Sequence, residues 1–279
     1  MINDRLSTHF HEKFSLSRQA IYQIIKTVDN YPNISKMSKK ERVDLFQSQT
    51  SLGPNYIRSM PQYASGSGLL TFTNALTKFG QCALRYDPLF DQVGTQWLMH
   101  YHLSAPHGPG APFWHELISK RFYRGSTFFK EDIVNDIGNF IWETDKKILA
   151  TEGVKSTATI FLGTYTKPEG LEKLNFLPEP KNERYSLKEP AQIPVWAFGY
   201  ALLDYWSAYY PDRISVGLDT LQEGDFAKIF MIGKTELDNM LQALQEAHYV
   251  EVQRSAPPHQ IYLLRPDGEP LLEKLYGAD

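Results

Sequence analysis

Cysteine is almost missing from this sequence. Among 279 residues only Cys82 is a cysteine, so no internal disulfide can form, as suits a reducing cytosol. No apolar run is long enough to span a bilayer. The N-terminus, MINDRLSTHFHEKF, has no apolar core of the kind a secretory leader needs. A cytoplasmic location, away from membranes, is the expectation. Carboxylates are missing locally. Between Asp44 and Asp87 there is none, while Arg58, Lys78 and Arg85 lie inside that interval. A surface that approaches phosphates excludes negative charge, because phosphate contacts dominate nucleic-acid affinity.

What is present is ordinary for a globular chain: 42% hydrophobic and 22% charged residues, enough for a sizeable core and about two domains. With 16 Phe, 16 Tyr and 5 Trp the core should be aromatic-rich. The net charge of −3 hides an asymmetry. Residues 1–130 hold 15 Lys and Arg against 8 Asp and Glu, and the remainder hold 14 against 24. A front half at +7 and a back half at −10 suggest different partners: nucleic acid in front, protein or plain solvent behind.

The carboxylate-free interval sits inside SKKERVDLFQSQTSLGPNYIRSMPQYASGSGLLTFTNALTKFGQCAL. Ser38 with Glu41 has capping-box spacing and predicts a helix over 39–48. Gly53-Pro54 breaks the chain, and a second helix is expected over 55–64, burying Tyr56, Ile57, Met60 and Tyr63. Its other face offers Asn55, Arg58, Ser59 and Gln62, which can hydrogen-bond base edges or phosphates. Pro61 lies inside it and predicts a kink. Leu69 to Phe72 and Gln81 to Leu84 are expected to pair around a turn at 74–78. Helix, turn, helix and hairpin make a winged helix-turn-helix, with Lys78 and Arg85 completing the candidate DNA contacts.

Before it, residues 1–14 read as a polar arm that docks through Phe10 and Phe14, and 16–29 as an amphipathic helix. After it come a turn at 87–91, a buried helix at 94–103, a loop at 107–112 and a helix at 113–122. The basic end of that helix, Lys120 and Arg121 with Arg124 beyond, suits either phosphate contact or the helix dipole. His100 and His102 are two residues apart, on roughly opposite faces of a helix, so they cannot chelate one ion there. A composite site with His107, His115 and Glu116 stays open beside a purely structural reading. A long amphipathic helix is expected over 129–149, with Ile133, Ile137, Phe140, Ile141 and Ile148 as its apolar stripe. Asp132, Asp136, Asn139 and Glu143 line its other face. Such oxygen ligands can hold Mg²⁺, as phosphodiester cleavage needs, or can simply be solvated. Asp132, Asp136 and Glu143 are the candidate catalytic residues.

Residues 153–190 are the least regular, with 157–162 read as strand or short helix, and a domain boundary is placed near 190. A buried helix follows over 194–209. Then a second winged unit is expected: a helix from Thr220 to Phe230 with Glu223 at capping-box spacing, a helix from Thr235 to Ala247 with Asp238 likewise, and a hairpin of 249–253 with 260–264. Its exposed face, with Glu236, Asp238, Asn239, Gln242 and Glu246, argues against deep entry into a major groove. The expected fold is therefore mainly α, with winged helix-turn-helix units at both ends (1–190 and 191–279) joined by a helical middle region with short β-hairpins.

The segments HEKFSLSRQAIYQIIK (11–26), GPNYIRSMPQYASGSGLL (53–70), LTKFGQCAL (76–84), DPLFDQVGTQWLMHYHL (87–103) and PVWAFGYALLDYW (194–206) resemble a bacterial domain-of-unknown-function family of DNA phosphorothioate-modification operons, in its Ssp branch. The resemblance spreads over nearly the whole chain. It implies an anti-phage defence role, a DNA-nicking activity, and as partners a cysteine desulfurase, an ATPase and an ATP-pyrophosphatase-like protein. The functional expectation is a component that binds double-stranded DNA and nicks it with Mg²⁺. The alternatives are a non-enzymatic regulator or adaptor on DNA, and a protein-only scaffold.

Overall fold

Residues 5–146 and 150–277 are described in a computed structural model. The arm docks as expected. Phe10 is 2% exposed and meets the Tyr63 ring edge-on, and Phe14 packs on Tyr56. Ser17 then accepts the Ala20 N–H and starts α1 (Arg18–Asn30). In α2 (Lys39–Gln49) the capping box forms in full: Glu41 N–H donates to Ser38 Oγ, and Ser38 N–H donates to Glu41 Oε2 at 2.7 Å. The helix α3 (Pro54–Gly66) runs through Pro61 and buries Ile57, Met60 and Tyr63 against α1 and α2.

The expected front hairpin does not form. Between 69 and 76 only Leu70 and Leu76 bridge, and α4 (Lys78–Tyr86) occupies the place of the second strand. The reason is local. Thr77 accepts the Gly80 N–H as an N-cap, and Phe79, Cys82 and Ala83 repeat at helical spacing into the core. Gly80 lets α4 press onto the preceding backbone, because a Cβ there would stand 2.0 Å from Leu69 O.

The middle is helical. It consists of α5 (Val93–Ser104), α6 (Pro112–Arg121), α7 (Lys130–Asp145) and α8 (Thr151–Thr166). The reading of 157–162 as strand or short helix resolves to the interior of α8. The distal apolar residue expected for α7, Ile148, lies outside the described residues. Before α7, β1 (Thr127–Phe129) pairs antiparallel with β2 (Arg184–Ser186), Phe128 opposite Tyr185. The strongly apolar α9 (Val195–Tyr209) is buried along most of its length.

Beyond it, β3 (Ser215–Gly217) precedes α10 (Leu218–Glu223) and α11 (Asp225–Phe230). These two short helices replace the single helix expected from Thr220, with the break at Gly224. There the backbone is extended, and a Cβ would meet Thr220 O at 2.4 Å. Next, α12 (Lys234–Glu246) starts one residue early. Glu236, not Asp238, closes its first turn by accepting the Gly233 N–H, while Asp238 pairs with Arg254 at 2.8 Å. The expected hairpin forms as β4 (Val250–Gln253) and β5 (Gln260–Leu263), and β3 joins it in the sheet order β3-β5-β4. The chain closes with α13 (Glu269–Leu275), packed on α9 and α4.

Polar side chains stitch the two halves together across the apolar core. His100 Nε2 lies 2.9 Å from Ile229 O. Arg124 donates to Met231 O and to Glu236, and also pairs with Glu189.

Candidate nucleic-acid interface

The arm, α2, α3 and the 71–75 turn enclose a cleft of about 780 Å³. Its apolar wall comes from the core side of the helices: Phe46 and Ile57 are each 2% exposed, with Val43, Pro61 and Phe72 beside them. Four cations line it: Arg5, Lys39, Arg42 and Arg58. Glu12 is the one acidic residue that lines it. Among the described residues none of these four cations has a carboxylate partner, whereas Arg18, Arg121 and Arg124 all do. Arg42 reaches only Thr73 O, at 3.5 Å. Arg5 donates from Nε to Gly110 O at 3.1 Å, and its Nη2 is buried without a partner. Burial holds the Arg5 guanidinium below its ordinary value. Like charges gathered at a concave, low-dielectric wall focus potential and favour an anion.

Of the DNA contacts expected from sequence, the cleft brings together Arg58 and Gln62. Ser59 is fully buried and donates to Asn55 O, so it cannot face a ligand. Lys78 lies outside the lining and pairs with Glu269 at 3.4 Å, which also raises its pKa through the hydrogen bond and the charge. Arg85 stacks over the Tyr86 ring, 5.0 Å from its centroid. Asn55 is exposed but does not line the cleft. Sequence reasoning missed Arg5, Lys39, Arg42 and Asn74. The signal for two of them was present: Lys39, Lys40 and Arg42 crowd the start of α2.

On α7 the carboxylates do not gather. Asp132 accepts the Phe129 N–H at 2.8 Å and so caps its own helix. Asp136 is 5% exposed and takes both oxygens to Arg121, through Nε and, at 3.1 Å, Nη2, with Lys120 3.8 Å away. This contact raises the Arg121 pKa. The basic end of α6 therefore serves an internal carboxylate. Glu143 is exposed. Asp132 and Glu143 stand about 16 Å apart along the axis at a helical rise of ~1.5 Å per residue. The side chains present do not fit a Mg²⁺ cage. Among the described residues, no three His, Cys, Asp or Glu side chains come together that could hold a metal ion.

The Asp136 geometry makes a structural prediction. Asp136→Asn leaves Arg121, itself a third exposed, without its counter-charge, and should cost about 2 kcal/mol. Scanning calorimetry should record a Tm lower by several degrees. An unchanged Tm means the pair contributes nothing net.

The histidines also resolve as structure. His100 is fully buried between Tyr165 Oη at 2.8 Å and Ile229 O. His107 Nε2 and Tyr101 Oη converge on Asp204 Oδ2 at 2.9 and 2.8 Å. Burial pushes the Asp204 carboxyl up, but the His107 hydrogen bond and nearby His102 outweigh it and hold it below its ordinary range. His115 Nδ1 donates to Ser104 O, 2.8 Å away, with Asp225 3.6 Å from its other nitrogen.

A family model described as "Protein of unknown function (DUF4007)" matches residues 9–275. Two solved structures share the fold. A magnesium ion-bound SspB crystal structure superposes with a TM-score of 0.80 at 15% identity, covering 99% of this chain and 89% of that one. An SspB crystal structure superposes with a TM-score of 0.77 at 16% identity, with the same coverage. No curated protein matches the sequence. None of the helices in the described residues is long and apolar enough to cross a membrane.

Proposed function

The chain belongs to the DUF4007 family, and from that premise we propose that it is a DNA-binding component of a DNA phosphorothioate-modification system. The observation that carries the DNA reading is the cleft: four cations around one concavity, without carboxylate partners among the described residues. The system comes from the sequence resemblance, and the shared fold with SspB supports it. That system supplies the proposed partners: a cysteine desulfurase, an ATPase and an ATP-pyrophosphatase-like protein.

The activity proposed with it is nicking. It comes from the resemblance, and the magnesium ion in one SspB structure is consistent with a Mg²⁺ requirement. Mg²⁺ is commonly bound through one or two carboxylates plus the substrate's own phosphates, so a closed protein cage is not required. Of the three α7 candidates, Glu143 is the one whose side chain makes no hydrogen bond or ion pair among the described residues, and it is the one to probe.

The adaptor reading has its own support. The order α9, β3, α10–α11, α12, β4–β5 is that of a winged helix-turn-helix, which we assign to residues 191–279. Its second helix presents Asn239, Gln242 and Glu246, with Glu236 tied to Arg124. That face suits a protein better than a phosphate backbone.

One experiment separates these readings. Purified protein is mixed with supercoiled plasmid, with and without Mg²⁺, alongside a salt-dependent binding titration on duplex DNA. Binding that weakens steeply with salt and open-circle product only with Mg²⁺ is the expected result, with Glu143→Gln slowing product formation at unchanged affinity. Binding without nicking selects the adaptor. No binding at low salt removes the DNA reading altogether.

A further inference from the structure

The cleft is concave, and what lines its depth is not what an intact duplex needs. Asn74 sits there in a left-handed turn (φ 60°), 9% exposed. Its backbone N–H donates to Thr71 O, but its side-chain amide makes no hydrogen bond among the described residues. The residue is largely covered, but both amide atoms keep contact with solvent, so their hydrogen-bonding capacity is available to a ligand. Gln62, on the facing helix, donates from Nε2 to Arg58 O at 3.1 Å, which leaves its carbonyl oxygen available. Phe72, Val43, Ile57 and Pro61 line the same cleft. The cations stand around this floor on α2, α3 and the arm.

Two amides, one aromatic side chain and a set of cations form the donor set of a nucleotide site. Amide side chains read the hydrogen-bonding edge of a base, aromatic side chains stack on its face, and cations hold the flanking phosphates. In an intact duplex the base faces are stacked and the Watson–Crick edges paired, so an aromatic side chain in a cleft has no face to stack on, and amides can reach only the groove edges. A base taken out of the stack presents both edge and face. The volume lies within the range of pockets that enclose a molecule of nucleotide size.

Resting on the DNA-binding reading, we propose that the cleft takes one unpaired or extruded nucleotide: its base against Phe72 and within reach of Asn74 and Gln62, its flanking phosphates on Arg42, Arg58 and Lys39. The substrate class is then DNA with a single-stranded or locally opened nucleotide, in preference to undisturbed duplex.

The test uses the full chain and three fluorescein-labelled probes: a perfect duplex, the same duplex with one bulged nucleotide, and the corresponding single strand. Anisotropy titrations at fixed salt should place the bulged duplex and the single strand at least about tenfold tighter than the perfect duplex, where a stacked base contributes at the scale found for aromatic platforms. Asn74→Gly keeps the left-handed backbone and removes the amide, and Phe72→Leu keeps the bulk and removes the ring. Each should bring that ratio toward one. Circular dichroism on both variants confirms that they fold. Equal affinity for all three probes, with steep salt dependence, overturns the nucleotide site and leaves the DNA reading standing. A preference that survives both substitutions overturns the site as well. Absence of binding to every probe overturns both.

Discussion

A chain carrying Arg42→Ala and Arg58→Ala should lose about two orders of magnitude in duplex affinity at 50 mM salt and become much less sensitive to salt. The magnitude follows from counterion release. If each of the four cleft cations neutralises one phosphate, log K falls against log salt with a slope of about −3.6, so raising salt from 50 to 200 mM weakens binding about 150-fold. Removing two cations halves the slope to about −1.8, and the same change in salt then costs only about 12-fold. The slope is the more informative readout, because a merely misfolded protein loses affinity without giving a defined fractional slope. Lys78→Ala is the paired control. Its ammonium is already held by Glu269 and lies outside the cleft lining, so affinity and slope should match the unaltered chain. A double variant with an unaltered slope would show that the phosphates lie elsewhere.

The contrast between Arg58 and Lys78 shows what the sequence could convey. Both stand in the same carboxylate-free interval, and a charge count gives them equal claims. The distinction is tertiary: the nearest carboxylate to Lys78 is Glu269, 191 positions later in the chain. For the same reason Arg5 could not be foreseen, since it reaches the cleft through contacts with the 109–110 loop. Asn74 gave no signal because its amide lacks a partner only once the turn has closed.

Secondary structure was legible where a full helical period is present, as in α2, whose Ser38 and Glu41 cap also forms, and in α12, where Leu237, Leu241 and Leu244 are buried in register although the expected Asp238 cap does not form. It failed where elements are short. The front wing is expected from two four-residue segments, 69–72 and 81–84, but the second of them lies inside α4, where Gly80 is a contact point on the preceding backbone. The three-residue strands β1, β2 and β3 are too brief to show alternation, and β1 pairs with a partner more than fifty residues away. The α7 carboxylates show how a row along a helix differs from a cluster. Their spacing is real, but a helical row keeps its members turns apart, and Asp136 is already spent on Arg121.

Folding stability should fall steeply between pH 7 and pH 5, and two buried histidines, His11 and His100, make the largest contributions, with His102 and His115 shifted in the same direction by burial. His11 and His100 are each held as the neutral Nε2–H tautomer by the direction of their hydrogen bonds. At His100 the Ile229 carbonyl can only accept, so Nε2 donates to it, and Nδ1 accepts from Tyr165, whose oxygen in turn accepts the Trp114 indole N–H. At His11 the Lys13 N–H donates to Nδ1, and Nε2 donates to Thr157 Oγ1, whose own proton goes to Gly153 O. A second ring proton at His11 would face the Lys13 N–H donor, and at His100 it would force the Tyr165 and Ser104 hydroxyls to turn their own protons away in a fully buried site. Burial lowers the pKa of both to about 4. The folded value thus lies below the unfolded one of ~6.5, and between the two the unfolded chain binds protons that the folded chain refuses. Stability from these residues is complete above about pH 6.5 and drains away as pH falls toward 4. Each histidine costs about 2 kcal/mol by pH 5, so the pair removes about 4 kcal/mol. Urea unfolding at pH 7, 6 and 5 should show the midpoint sliding downward across a range where most carboxylates remain ionised. His11→Gln and His100→Gln should each flatten the slope by about 2 kcal/mol over this range, leaving the part that His102 and His115 contribute. His11→Gln is the safer of the two, because its site lies in the docked arm and not at the centre of the aromatic core. A midpoint that stays level from pH 7 to pH 5 would mean that the folded chain accepts these protons, and that the two networks rearrange to house them.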